Sequence, residues 1–265
     1  MTGGPRPDGE DRTAHAARGI GLDAEQVTRF DKLADGSRPP WRLVYSAREA
    51  AHLAAQPQAA RAFCAAFCCK EALCKALGGS YAFPEFECLY RPGASEQEFV
   101  LAPGLQRRHG IEQMRVKIDE QFLGERGEFV VEVYLIRPAG VHLETLQVAA
   151  VDAARRQIEE EHFSPREIAD LGSRRVQSLA GALALKRALV RLVAGAGVAA
   201  VPRDFELGHH TSGAPRIDVT PPGVVLENIF ISISHTRQWA YGLAALGRHR
   251  DDVLFRDVPA AREPA

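Results

Sequence analysis

The chain reads as an α+β protein made of two duplicated halves that pack as a pseudo-dimer. Three observations predict this. Each half runs strand, capped helix, longer helix and then short alternating strands; the two runs are co-linear; and the cap serine and helix lysine stand at nearly equal spacing in both, Ser46 to Lys70 and Ser164 to Lys186. At 265 residues there is enough chain to bury a full core.

The first ordered stretch is expected at Arg18, after a Gly-, Pro- and charge-rich tail over residues 1–17. Gly19 to Glu25 reads as a short strand whose acids Asp23 and Glu25, at i and i+2, share one face. Two acids on one face repel unless a cation sits between them, so a solvent-facing edge and a metal site both account for the pair. A polar loop with Pro39 and Pro40 follows, and then YSAREAAHLAA, where Ser46 and Glu49 make a capping-box pattern.

The next helix, Phe63 to Gly79, places Phe63, Phe67, Cys74 and Leu77 on an apolar stripe, with Lys70, Glu71 and Lys75 together at one flank. Taken alone, that flank suits an i,i+4 ion pair between Glu71 and Lys75. FPEFECLYR, EFVLA, MRVKIDE and EFVVEVYLI alternate as antiparallel strands, and Arg137–Gly140 reads as a linker, so the first half spans 18–138.

The second half, 141–247, repeats the plan. TLQVAAVDAARR is expected to be a strand ending near Asp152. HFSPREIADL repeats the capped helix with Ser164, Pro165 and Glu167, and LAGALALKRALVRLV sets Lys186 opposite Lys70 and Arg187 opposite Glu71. VPRDFELGHH answers FPEFECLYR; APRIDV and IFISISHTRQWAYGLAAL complete the sheet, and residues 248–265 read as a polar tail.

The copies differ. The first half has Asp23, Glu25 and Glu71; the second has a lone Asp152, Ala154 in place of Glu25 and Arg187 in place of the helix acid, yet it alone carries Ser234-His235-Thr236. Acids from one half and the histidine strand of the other can build one working cleft, leaving the opposite cleft inert.

Composition excludes several classes. The net charge of −1 gives no argument for nucleic acid or an anionic membrane surface, and no apolar run reaches transmembrane length, so a cytoplasmic enzyme or binding protein is expected. The five cysteines, crowded on one apolar helix and its neighbourhood, suit buried hydrophobes better than disulfides or zinc.

Gly21-Leu22-Asp23-Ala24-Glu25, Lys70-Glu71-Ala72 with Lys75-Ala76-Leu77-Gly78, and Ile233-Ser234-His235-Thr236 with the preceding Gly213-Ala214-Pro215 resemble the 4′-phosphopantetheinyl transferases. The resemblance extends from about Arg18 to Leu246. It implies transfer of the 4′-phosphopantetheine group of coenzyme A to a serine of an apo acyl or peptidyl carrier protein, with release of 3′,5′-ADP; the alternative is a degenerate paralogue that binds coenzyme A or a carrier without catalysis. The first half looks like the short holo-acyl-carrier-protein synthase type, whereas in surfactin-type members the histidine half comes first, so the order here is reversed. Ala214 stands where related proteins often place lysine, which leaves Arg216 as the substitute phosphate contact.

Transfer from a pyrophosphate is mainly positioning and charge neutralisation. The resemblance implies Asp23, Glu25 and Glu71 as Mg²⁺ ligands, Glu71 or a water beside it as general base, and Lys75 at the leaving group. Lys70 would help to hold the phosphates, His235 would contact the coenzyme A 3′-phosphate, and Ser234 and Thr236 would lie near the nucleotide. Arg42, Arg48 and Arg61 are candidates for a docking face toward an acidic carrier, and a monomeric pseudo-dimer is expected.

Overall fold

A computed structural model describes residues 19–37, 42–78, 82–104, 113–171 and 175–247. The expected tails and the Pro39–Pro40 loop fall outside these residues.

The first lobe opens with β1 (Ile20–Gln26), then a short 3-10 turn and α1 (Asp31–Ala34), α2 (Ala47–Ala54) and α3 (Ala59–Leu77). β2 (Phe86–Cys88), β3 (Glu96–Leu101), β4 (Gln113–Leu123) and β5 (Glu128–Tyr134) follow, and the five strands form an antiparallel sheet in the order β1-β5-β4-β3-β2. Phe63, Cys68, Cys69, Leu73 and Leu77 of α3 pack on this sheet against Phe86, Phe99, Phe129 and Val131. All five cysteines are buried free thiols, as their place on an apolar helix suggests.

The second lobe contains β6 (Pro138–Gln147), α4 (Val148–Ala153), α5 (Arg155–His162), α6 (Pro165–Asp170) and α7 (Arg175–Gly195). β7 (Glu206–His209), β8 (Pro215–Val219), β9 (Ile229–His235) and β10 (Trp239–Gly247) complete it. Its strands separate into a three-stranded sheet, β6-β10-β9, and a two-stranded one, β7-β8.

Two expectations need correction. The stretch read as a linker, from Pro138, is the start of β6; among the described residues β6 pairs only with β10, and an edge strand tolerates proline at its first residue. The strand expected to end near Asp152 stops at Gln147, because the alanine-rich VAAVDA favours helix and forms α4, leaving Asp152 exposed.

The capped-helix pattern occurs in both lobes in the same detail. Ser46 and Glu49 close a capping box on α2, and Ser164 and Glu167 close one on α6. In the first lobe the buried Lys70 donates to Glu49 Oε2 at 2.8 Å and Val44 O at 2.6 Å, and Cys88 N of β2 donates to Glu49 Oε1 at 2.6 Å. In the second, Lys186 donates to Glu167 Oε2 at 2.8 Å and His162 O at 2.7 Å, and Leu207 N of β7 donates to Glu167 Oε1 at 2.9 Å. One buried ion pair per lobe thus ties the long helix, the short capped helix and the second strand together.

The lobes meet through a shared apolar layer of Ile20, Leu22, Ala24, Val130 and Tyr134 from one side and Tyr241, Leu243 and Ala245 from the other. Beside it, β9 presents Ser232 and Ser234 to β1: Leu22 N donates to Ser232 Oγ at 3.0 Å and Ala24 N to Ser234 Oγ at 3.1 Å. Side-chain hydroxyls therefore satisfy amides on the open edge of β1 that a further strand would otherwise take.

Candidate active site between the lobes

β1 can lie directly on α3 because of Gly21. A Cβ there would stand 1.8 Å from Ala72 O, so any other residue would force the strand off the helix. This close approach brings Asp23 over the last turns of α3. Lys75 Nζ donates to Asp23 Oδ1 at 2.8 Å and to Leu22 O at 2.8 Å, and Ser234 of the opposite lobe donates to the same Oδ1 at 2.9 Å. The second carboxylate oxygen, Asp23 Oδ2, is buried and has no hydrogen-bond partner.

Asp23, Glu25, Glu71 and Lys75 line one cleft of about 940 Å³ whose far wall includes Ser178, Ala182, His209 and Ser232–His235 of the second lobe. Burial, and then the nearby Asp23 charge, raise the Glu71 pKa above the usual carboxylate value. Burial also raises that of Glu25, against the pull of Arg29, which holds the Glu25 carboxylate in an ion pair. Burial opposes the Lys75 charge, but Asp23 and Glu71 together outweigh it and the lysine pKa rises. The cleft therefore holds crowded negative charge with one ammonium drawn into it.

Asp23 and Glu71 fit a hard divalent cation: both supply carboxylate oxygen, one oxygen is buried without a donor, and the Asp23 charge disfavours that of Glu71 until a cation intervenes. Glu25 lines the same cleft but is turned to Arg29. Among the described residues no group of three or more His, Cys, Asp or Glu side chains converges at metal-binding spacing. Any such ion would thus take its remaining ligands from substrate and water.

The other residues singled out in the sequence separate. His235 and Ser234 line the cleft. Thr236, just past the end of β9 and two residues on from Ser234, donates instead to Glu128 Oε1 at 2.6 Å, where the chain turns away. Arg216 follows the lining residues Ala214 and Pro215, and its guanidinium is paired with Asp218 on its own strand. Lys70 does not share a flank with Glu71 and Lys75; it is fully buried against Glu49 and Val44 on the side facing α2. The reason is geometric: Lys70 and Lys75 lie five residues apart, about 140° around a helix, so a strand over Lys75 leaves Lys70 facing elsewhere. Of the candidate docking arginines, Arg48 reaches Glu87 at 3.5 Å, Arg61 lies over the Phe122 ring at 4.2 Å, and Arg42 is exposed.

His209 is not among the residues the sequence singles out. It ends β7 opposite Pro215 and lines the cleft, as does Ser178 of α7. Neither stands in a motif; the β7-β8 hairpin carries His209 to the cleft and the first turn of α7 carries Ser178. The second-lobe acid corresponding to Asp23 was also misplaced. It is not Asp152 but Glu144 of β6, in VHLETLQ against IGLDAEQ; Leu146 rather than Ala154 answers Glu25. Arg191 Nε of α7 lies 2.7 Å from Glu144 Oε1, repeating the Lys75–Asp23 pair with a larger cation.

The fold and the site define a two-lobed α+β protein with an acidic, lysine-containing cleft at the lobe junction. Residues 19–117 match the family model of the 4′-phosphopantetheinyl transferase superfamily. A holo-[acyl-carrier-protein] synthase of Myxococcus xanthus is 43% identical over 63 residues, 23% of this chain and 50% of that protein, so the match spans half the length of the relative. Among solved structures, Helicobacter pylori holo-[acyl-carrier-protein] synthase in complex with coenzyme A is similar at 20% identity and a TM-score of 0.35, covering 41% of this chain and 100% of that one. A holo-(acyl-carrier-protein) synthase from Bacillus anthracis in complex with coenzyme A (3′,5′-ADP) is similar at 21% identity and a TM-score of 0.35, covering 42% and 98%. No helix among the described residues is long and apolar enough to cross a membrane.

Proposed function

We propose that this chain transfers the 4′-phosphopantetheine group of coenzyme A to a serine of an apo acyl or peptidyl carrier protein, with Mg²⁺ bound in the cleft. Residues 18–138 and 141–247 act together as its two working halves. The observation that carries this reading is the buried, donorless Asp23 Oδ2 beside Glu71 and Lys75, in a cleft completed by the His235 strand of the other lobe.

In the reaction, the carrier serine oxygen bonds to the phosphorus that bears the pantetheine arm, and the bond from that phosphorus to the bridging pyrophosphate oxygen breaks. The serine proton passes to Glu71, whose burial and neighbouring charge make it a better base than an exposed carboxylate. Lys75, held charged by Asp23, faces the departing 3′,5′-ADP and offsets its growing negative charge. His235 sits on the opposite wall, suited to the nucleotide 3′-phosphate, with Ser234 beside it. A divalent cation held by Asp23 and Glu71, with Glu25 joining if it leaves Arg29, would neutralise pyrophosphate oxygens. Arg42, Arg48 and Arg61 are proposed to meet an acidic carrier helix.

The test is to incubate purified protein with coenzyme A, Mg²⁺ and several apo carriers, and to follow the carrier mass. Addition of one phosphopantetheine group that disappears in Glu71→Ala supports the assignment. Tight coenzyme A binding without transfer to any carrier would replace it with a binding role, and coenzyme A cleavage in the absence of carrier would point to a hydrolase.

A further inference from the structure

β9 ends at His235, and the chain reverses through residues 236–238 into β10. The Thr236 hydroxyl is the hub of that reversal. It accepts the Gln238 amide at 3.2 Å and the Trp239 amide at 3.0 Å, while the Thr236 amide donates to Trp239 O at 2.8 Å. A hydroxyl has two lone pairs and one proton, so with both lone pairs filled only an acceptor can partner it. Trp239 O lies at the long distance of 3.5 Å, and the close acceptor comes from the other lobe: Glu128 Oε1, 2.6 Å away at the start of β5. Glu128 is fully buried, and its second oxygen accepts the Tyr241 hydroxyl. Arg126, in the turn before β5, stacks on Trp239 with its guanidinium carbon 3.5 Å from the ring centroid.

We propose that Glu128 is a positioning residue: the lobe that carries Asp23 and Glu71 uses this buried carboxylate to fix the β9-β10 turn of the other lobe, and so to aim His235 into the shared cleft. The two lobes are thereby registered along the C-terminal half of β9 and the turn after it, by Ser232 and Ser234 on β1 and by Thr236 on Glu128. Glu128 touches no cleft atom itself; it acts through the turn. The inference rests on the reading of His235 as the contact for the nucleotide 3′-phosphate.

The experiment compares coenzyme A with dephospho-coenzyme A, which lacks that phosphate, in wild type, Glu128→Leu, Glu128→Gln and Thr236→Val. Amide exchange at Gln238 and Trp239 is followed in parallel. Glu128→Leu and Thr236→Val should raise KM for coenzyme A about tenfold, the scale of one hydrogen bond to a charged group, with kcat and the dephospho-coenzyme A KM unchanged. Glu128→Gln keeps one acceptor oxygen for Thr236 and should stay near wild type. A general loss of structure would instead shift both substrates together. The same two variants should speed exchange at residues 238 and 239, and Glu128→Gln should not. If Glu128→Leu does not fold, Thr236→Val decides the matter. Retained substrate preference or unchanged exchange in the folded variants overturns the latch, whereas a wild type that transfers with no preference overturns the reading of His235.

Discussion

Ser234 Oγ donates to Asp23 Oδ1 over 2.9 Å, joining β9 of one lobe to the acidic strand of the other. Lys75 reaches the same oxygen, so one carboxylate oxygen is doubly bonded while its twin is buried without a donor. Such an oxygen carries a desolvation cost that a cation or a donor from substrate would remove. The lobe junction, rather than either lobe, creates this state.

The first prediction concerns the acids. Asp23→Asn and Glu71→Gln should each lower carrier modification by about 10²-fold or more, the scale of losing an ion ligand or general base. Because the Glu71 pKa is raised in the fold, its ionisation opposes folding once the pH passes the ordinary carboxylate range. Glu71→Gln should therefore melt at or above the wild-type temperature at pH 7.5 while being inactive. A Glu71→Gln enzyme of wild-type activity would exclude the carboxylate from the reaction.

A second prediction follows for the ion. Chelation should abolish transfer, and Mg²⁺ restored with coenzyme A should raise the melting temperature of wild type but not of Asp23→Asn. Calorimetric titration of both proteins checks this, and equal Mg²⁺ stabilisation of the two would place the ion elsewhere.

Lys70 belongs to the fold. Replacing it alone leaves Glu49 buried and unpaired, a loss of about 3–5 kcal/mol, and Lys186→Ala should cost a similar amount through Glu167. Lys70→Met with Glu49→Gln should recover much of that stability and retain transfer per folded molecule. Urea denaturation with the carrier assay measures both; a stable but inactive double variant would return Lys70 to the phosphates.

Alkaline pH should destabilise the protein. Burial pushes the Cys68 thiol above its ordinary value, the Cys88 hydrogen bond and then burial do so for Cys69, and burial raises Tyr45, Tyr90, Tyr134 and Tyr241. These groups keep their protons in the fold but release them when unfolded, so stability falls as pH rises past their ordinary values of 9.0 and 10.0. Lys70 and Lys186, lowered by burial, act in the opposite sense but are outnumbered. The urea midpoint should drop between pH 9 and pH 11, and less steeply in Cys68→Ala.

Cutting the chain between Arg137 and Pro138 should abolish activity. Each fragment would expose half of the shared apolar layer, and β1 would lose the Ser232 and Ser234 hydroxyls. Co-expression of the two fragments should restore some transfer; activity in the first fragment alone would show that His235 is dispensable.

Local sequence determined a good deal. The capping boxes at Ser46 and Ser164, the apolar face of α3, the alternation in β3 and the shared face of Asp23 and Glu25 all depend on neighbours a few residues apart, and the residue pattern states them directly. The same pattern pairs the two long helices and marks which of them carries an acid beside its lysine.

The tertiary structure decided which side of each element does what. Lys70 and Lys75 look alike in a helical register, but only the Gly21 contact with Ala72 puts β1 over Lys75, leaving Lys70 to Glu49. Glu144 emerges as the counterpart of Asp23 only because β6 pairs with β10 as β1 pairs with β5, while VAAVDA becomes helix. Ser234 and Thr236 stand two residues apart at the end of β9 and in the turn after it, yet one reaches Asp23 and the other Glu128, 211 and 108 residues away along the chain. Contacts at such separations are set by how two lobes dock, and local periodicity carries no information about that.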